Sequence, residues 1–470
     1  MKLKFLVLIV LSVNISLFAG NPLENFINSP ILQNANISLM VKELETNKTL
    51  YQFRSNNVTI PASTMKLVTT ASAIELLGST FCFQTKLEID GTLNSEGVLN
   101  GNLYIKGGGD PTLGSEKLGD QNFLEKWVEA VKKAGIRKIN GQIIADGTLY
   151  DEEGVNPKWT WEDIGNYYAA GAYGISYMDN TFKLVVQSGL YGSTPEIIRT
   201  IPEISSLIFE NHLTSTNIES DSAYFYGAPR SNHRVIRGEI PANRLEFIVK
   251  GDIPNPGLLL AEHFQDKLMD NDVSISELPS DVVRKFSDRK VIHVHSSPPL
   301  SEIITETNVN SNNGYAEEIF RYLALKSYPV ATTRRAIGEI RSFWKERELP
   351  INQLFMYDGC GLSPLDAVSA NFYVELLSYM KTKAVNKDVF FNSLPVSGKS
   401  GTLKTFLAKT SLQGKVHAKS GTIGGVKCYA GYVETNKKTY VFAIMVNHAN
   451  APLKAVTAKI EEFLLQISKR

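Results

Sequence analysis

A serine placed three residues ahead of a lysine puts a hydroxyl and an amine on one helix face, because positions i and i+3 are neighbours there. A buried lysine beside a second cation loses its proton more readily and can act as base toward that hydroxyl. The chain holds four such pairs: Ser63/Lys66, Ser287/Lys290, Ser342/Lys345 and Ser378/Lys381. Ser287 sits in a charged run, and Ser342 and Ser378 fall inside predicted helices. Only Ser63 opens a helix. Pro61 precedes it, apolar positions recur at helical spacing over 67–77, and Gly78 suits the end. A first-turn serine also lies near backbone N–H groups that have no partner within the helix.

Two further short elements follow. One is the Ser-x-Asn triplet Ser311-Asn312-Asn313. The other is Lys-Ser-Gly-Thr, found at both 399–402 and 419–422. Each is common by chance, so order and context must carry the meaning. The triplet precedes a helix predicted over 317–325. Lys419 closes a strand predicted over 414–420, ahead of strands at 427–434 and 439–447 and a last helix at 453–467. Ser-x-x-Lys, then Ser-x-Asn, then Lys-[Ser/Thr]-Gly is the motif order of penicillin-binding proteins and serine β-lactamases.

These residues need a frame to hold them. A chain of 470 residues, 43% apolar and 21% charged, is expected to form two or three domains. A net charge of +1 gives no basic field for nucleic acid. Strands are predicted at 37–44 and 49–53. From 83 to 278 short alternating runs separated by Gly- and Asn-rich turns read as β-rich modules. Helical texture returns after 291, with helices at 317–325, 332–347 and 369–380. Residues 64–310 lie between the two serine elements, far more than one helix-to-loop step requires. The reading is therefore α+β: a catalytic domain, an antiparallel sheet flanked by helices, split into 21–82 and 289–470. The β-rich insertion at 83–288 is expected to form two modules, the inner one about 114–184.

The first twenty residues, with Lys2 and Lys4 before an apolar run and small residues at Ala19 and Gly20, read as a secretory signal peptide. The expectation is export, to the periplasm, with no membrane span once the segment is removed. Three cysteines, Cys82, Cys360 and Cys428, are too few for a disulfide scaffold and read as buried thiols. Gly107-Gly108-Gly109-Asp110 lacks the spacing and following helix of a dinucleotide cradle and reads as a tight turn. His293 and His295 share a predicted strand face but have no third ligand in view, so no metal or cofactor is expected. His417, two residues before Lys419, is expected to pack. The apolar stripe of the last helix is read as packing on the preceding sheet.

Several longer segments carry a resemblance: 101–113 (GNLYIKGGGDPTL), 157–168 (PKWTWEDIGNYY), 295–303 (HSSPPLSEI), 358–363 (DGCGLS) and 394–403 (LPVSGKSGTL). With the three short motifs, they resemble the type-4 penicillin-binding proteins, serine D-Ala-D-Ala carboxypeptidases and endopeptidases of peptidoglycan, over nearly the whole chain after residue 20. The resemblance places 394–403 in a Gly-Thr-Leu turn and so selects Lys419 over Lys399. It implies Ser63 as nucleophile, Lys66 as its base, Ser311 as proton relay and Asn313 as ligand of the substrate amide. Lys419 would supply positive charge, and Ser420, Gly421 and Thr422 would bind the substrate carboxylate and help form the oxyanion hole. Trp161, Asp163 and Tyr168 would contact the far end of the stem peptide, although packing within their module is an equal reading for Trp161 and Tyr168. β-Lactams would be covalent inhibitors.

Three departures stand out. Asn312 occupies a position where the family often has Asp. Ser420 replaces the usual Thr. Cys360 and Pro364 alter the usual Asp-Gly-Ser-Gly-Leu-Ser-Arg, so the missing Arg's task is open. A β-lactamase and a non-catalytic peptidoglycan-binding module remain the alternatives. The long insertion weighs against the first.

Overall fold

The computed structural model describes residues 21–282, 288–436 and 438–469. The signal-like segment and Ser287 lie outside the described residues. Strands β1 (Asn36–Glu43) and β2 (Lys48–Phe53) form an antiparallel pair. One turn of 3₁₀ helix, Ala62–Met65, runs straight into α1 (Lys66–Leu77). The chain enters the insertion at β3 (Gln84–Ile89) and leaves it by β4 (Lys290–Ser296), which pairs antiparallel with β3. Then come α2 (Leu300–Val309), α3 (Asn313–Tyr322), α4 (Ala370–Thr382), β5 (Val416–Ile423), β6 (Val426–Glu434), β7 (Thr439–Asn447) and α5 (Leu453–Ile467).

Segments from before and after the insertion build one antiparallel sheet, in the order β2-β1-β7-β6-β5. β6 and β7 are buried along almost their whole length. Their near-continuous apolar runs fit strands covered on both faces. α5 covers one face, its Val456, Ile460, Phe463, Leu464 and Ile467 buried, so the stripe packs as expected. Phe463 meets the rings of Phe26 at 5.3 Å and Tyr51 at 5.7 Å. The other face carries α1, α4 and the helix Thr333–Glu346 in a single core. In α1 every residue from Lys66 to Ile74 is buried, which makes it the central helix of the helical lobe. β5 is one of the sheet's two edge strands.

The insertion is β-rich, in keeping with the reading, but helices not foreseen there accompany the strands. It contains two full helices, Phe123–Lys133 and Pro256–Met269, among small sheets. The signals were local: Phe123, Trp127, Val128 and Val131 recur at helical spacing, and the Asn255 side chain caps the Leu258 N–H at 3.2 Å ahead of Pro256. The Gly107–Asp110 turn serves packing, since a Cβ on Gly108 would stand 1.9 Å from the Gln84 carbonyl oxygen. His295 lies against Phe123 and Trp127, and His417 stacks on Phe391 at 4.2 Å. All three cysteines are unpaired. Cys360 and Cys428 are buried as expected, but Cys82 is only half-buried. Among the described residues no helix is long and apolar enough to cross a membrane.

One ion pair is critical inside the insertion. Arg234 is fully buried and donates from Nε to Asp252 Oδ1 at 3.0 Å. Asp252→Ala would strand that guanidinium and should destabilise the insertion by about 3–5 kcal/mol. Urea unfolding followed by circular dichroism would show it; an unchanged midpoint would refute the assignment.

Candidate active site

Ser63 lies in the 3₁₀ turn that starts the central helix and is half-buried, while its neighbours Ala62, Thr64, Met65 and Lys66 are buried. Ala62 takes φ +47°, a left-handed conformation that a non-glycine residue keeps only when its surroundings enforce it. Lys66 is fully buried, and its Nζ donates to Ser63 Oγ at 3.1 Å, Asn313 Oδ1 at 2.6 Å and the Cys360 carbonyl at 2.8 Å. Burial pushes its pKa below the usual lysine value, against the opposing pull of Cys360, Asp358, Glu317 and Asp366. The other pairs are not so placed: Ser342 and Ser378 sit within helices, and Ser378 Oγ bonds back to the Val374 carbonyl.

α3 begins at Asn313, four residues earlier than the sequence pattern indicates, so the triplet forms the helix start. Asn312 is its cap, accepting the Tyr315 N–H on Oδ1 at 3.2 Å. Asn and Asp cap equally well, which explains why Asn312 can replace Asp. Asn313 spends Oδ1 on Lys66 and donates from Nδ2 to the Tyr168 carbonyl of the insertion at 2.7 Å. Ser311, at φ +59°, turns its hydroxyl to Lys419 Nζ at 2.9 Å.

Lys419 lies in the middle of β5 rather than at its end; the strand continues to Ile423. Its Nζ also donates to the Ser420 carbonyl at 2.9 Å. Burial lowers its pKa strongly, and Lys66 and Lys427 lower it further. On the outer edge of β5, the Val416 carbonyl and Ala418 N–H are taken by Ser397 and Pro395. Strand alternation directs the N–H groups of Ser420 and Thr422 to the same edge beyond that cover. An uncovered edge can take an extended peptide as an added strand. Gly421 brings β5 against the Ser63 turn: a Cβ there would sit 2.4 Å from the Pro61 carbonyl oxygen. The second Lys-Ser-Gly-Thr copy also contributes, but through its threonine. Ser420 Oγ donates to Thr402 Oγ1 at 2.9 Å, whereas Lys399 is exposed. Thr422 is exposed and accepts from Lys427 Nζ at 2.9 Å.

Motif reasoning missed the support beneath Lys66. The Asp358 carboxylate accepts the N–H groups of Cys360, Gly361, Leu362 and Ser363 and the Trp159 Nε1–H at 2.9 Å. This loop presents the Cys360 carbonyl. Glu317 Oε1 accepts the Gly359 N–H at 2.7 Å, and burial raises its pKa to about 8. The signal was present in the 358–363 segment, read only as a resemblance. Trp161 is 66% exposed and stacked on Tyr226 at 6.2 Å, so it is not core; Trp159 is. Asp163 Oδ2 accepts from Thr160 Oγ1 at 2.6 Å, and Tyr168 is half-buried beside it. Trp161 is thus a surface residue of the insertion and Asp163 is held locally, while the Tyr168 carbonyl bonds Asn313.

The two lysines make a sharp contrast. Lys419→Ala should slow acylation by a penicillin by about 100-fold or more, in the range for one lost acid–base group. Lys399→Ala should leave the rate within about twofold, as expected of an exposed side chain away from the centre. Stopped-flow acylation would measure both; the reverse order would mean the wrong strand carries the chemistry.

The D-Ala-D-Ala carboxypeptidase 3 (S13) family model matches residues 20–467. A D-alanyl-D-alanine carboxypeptidase of Actinomadura sp. (strain R39) is 26% identical over 92% of this chain and 81% of its own. The crystal structure of penicillin binding protein 4 (dacB) from Haemophilus influenzae superposes with a TM-score of 0.81 at 21% identity, covering 95% of this chain and 98% of that one. A second crystal structure of that protein, complexed with a β-lactam, gives 0.76 at 20% identity over 96% and 99%. The fold is therefore the α+β penicillin-binding fold expected from the motifs. The chain belongs to the D-Ala-D-Ala carboxypeptidase 3 (S13) family and is a serine peptidase of that family.

Proposed function

We propose that this chain is an exported, periplasmic D-Ala-D-Ala carboxypeptidase and DD-endopeptidase of peptidoglycan, acting through a Ser63 acyl-enzyme and sensitive to penicillins. The observation that carries the reading is the double lysine centre. Lys66 joins Ser63 to Asn313, and Lys419 holds Ser311, with Gly421 fitting the second group against the first. No cofactor or metal enters the scheme. Export rests on the 1–20 segment alone.

In the first half-reaction Ser63 Oγ attacks the penultimate D-Ala carbonyl and its proton passes to neutral Lys66. The tetrahedral oxyanion is held by the N–H groups of Ser63 and Thr422, where one lost donor typically costs about 2.7–4 kcal/mol. Asn313 orients the substrate amide. The C–N bond then breaks, and the departing amine takes a proton relayed through Ser311. Lys419, Ser420 and Thr422 receive the substrate carboxylate. Water then attacks the ester, loses a proton to the same base and frees Ser63. Trp161, Asp163 and Tyr168 would contact the stem peptide's diamino acid. β-Lactams enter by the same attack, and the Haemophilus protein solved with a β-lactam supports that extension.

Incubation with a labelled penicillin should add one acyl mass to the protein and none to Ser63→Ala. Defined muropeptides should lose D-Ala or their D-Ala cross-link, read by mass. Rapid release of penicilloate would overturn the peptidase reading in favour of a β-lactamase. The acylation rate should also depend on pH in one direction. Lys66 must be neutral, and its pKa lies below the ordinary 10.5. The rate is therefore lost as pH falls through that lowered value, and Lys66→Arg should abolish the limb. A rate that rises as pH falls would exclude Lys66 as base.

A further inference from the structure

The open edge of β5 has a cation on each face. Side chains alternate along a strand. Lys419 and Gly421 therefore point to the Ser63 side, where Lys419 meets Ser311 and Gly421 meets the Pro61 carbonyl. Ser420 and Thr422 point to the other side. There Lys427 stands directly opposite Thr422 in the β5–β6 register, and its Nζ donates to Thr422 Oγ1 at 2.9 Å. Lys427 lies outside all three short motifs.

An ammonium has only donors, so Thr422 Oγ1 must accept in this bond. The hydroxyl proton is thereby turned away from Lys427, and among the described residues no acceptor takes it. Thr422 is exposed, so that proton is open to an incoming anion. Ser420 differs, since its hydroxyl is already engaged with Thr402.

Lys427 is also an uncommitted charge. Other lysines around the same sheet have acids: Lys42 pairs with Glu375 at 2.6 Å, Lys438 with Glu43 at 3.0 Å and Lys381 with Glu434 at 3.4 Å. Among the described residues Lys427 has no carboxylate within ion-pair range. Its Nζ lies 5.2 Å from the centre of the Tyr429 ring. Packing on Tyr429 accounts for the stem but not for a head turned to the Thr422 hydroxyl. Burial lowers the pKa of Lys427, and the charge of Lys427 in turn lowers that of Lys419. The two lysines thus repel across β5, and an anion bound at that edge would relieve both. Two cations disfavour a metal ion there.

We infer that Lys427 is a positioning residue for the substrate carboxylate beside the scissile bond: it aims the Thr422 hydroxyl outward as a donor and places a second positive charge behind it. The inference rests on the peptidase reading above. It goes further in making a free carboxylate, rather than a carboxamide, a condition of efficient cleavage through a residue that none of the motifs contains.

The test is steady-state kinetics on a synthetic stem pentapeptide ending in D-Ala-D-Ala and on the same peptide closed as its C-terminal carboxamide. The proteins are wild type, Lys427→Met, Lys427→Arg and Lys399→Met. Lys427→Met should raise KM for the free acid about tenfold, as for the loss of one charge-assisted contact. Its kcat should change little, the pattern of lost ground-state binding. Kinetics on the carboxamide should stay within about twofold, so the preference for acid over amide falls about tenfold. Lys427→Arg should restore that preference, and Lys399→Met, which removes an exposed lysine elsewhere, should leave it intact. Equal losses on acid and amide would make Lys427 merely structural and overturn the inference. So would an unchanged Lys427→Met, or a loss that Lys427→Arg does not restore. A wild type that gains no acyl mass from a labelled penicillin would instead bring down the peptidase reading, and this assignment with it.

Discussion

The structure turns on an amine that has no access to water. Lys66 is buried on the central helix, and a buried amine must find acceptors or pay a large desolvation penalty. It finds three, from three separate segments: Ser63 Oγ on its own turn, Asn313 Oδ1 at the start of α3, and the Cys360 carbonyl on the 358–363 loop. Satisfying one group thus fixes three segments relative to each other. The same contacts aim a hydroxyl, an amide and a base at one point. The burial that demands these contacts also lowers the lysine pKa.

The insertion takes part in this alignment. Asn313 is held on its other side by the Tyr168 carbonyl, and the Asp358 loop is pinned by Trp159. Further along α3, Glu318 Oε1 accepts the Tyr173 N–H at 2.8 Å and bonds the Ser176 hydroxyl. The Arg321 guanidinium pairs with Asp151 and donates to the Glu153 carbonyl at 2.6 Å. Residues 151–176 of the insertion therefore grip α3 at its start, at Asn313, and further along, at Glu318 and Arg321. A helix held between two modules can keep the strained Ser311 turn that an isolated helix start would relax.

What was legible in the sequence follows from how local each signal is. Ser63 could be chosen over its decoys because helix starts are written in a few adjacent residues. The sheet strands were readable to within two or three positions from apolar runs, although β5 runs past Lys419. The helices Phe123–Lys133 and Pro256–Met269 carried local signals too, but the surrounding turns masked them. The Thr402 contact was not legible. It depends on a turn lying along β5, a tertiary fact that separates the two Lys-Ser-Gly-Thr copies by geometry and not by composition. Nor was the grip of residues 151–176 on α3, whose partners lie far apart in the chain.

The acids beneath Lys66 complete the electrostatic argument. A lysine ringed by ionised carboxylates would stay protonated and fail as a base. Here Glu317 and Asp366 are fully buried and burial raises both their pKa values, Glu317 to about 8. Burial thus disfavours negative charge on the acids nearest the ammonium, opposing the upward pull they exert on its pKa. Asp358 is occupied in another way, its oxygens taken by four backbone N–H groups and an indole. The loop thus obtains the carboxyl groups that shape it, while burial keeps the amine's pKa below the usual lysine value beside the Ser63 hydroxyl.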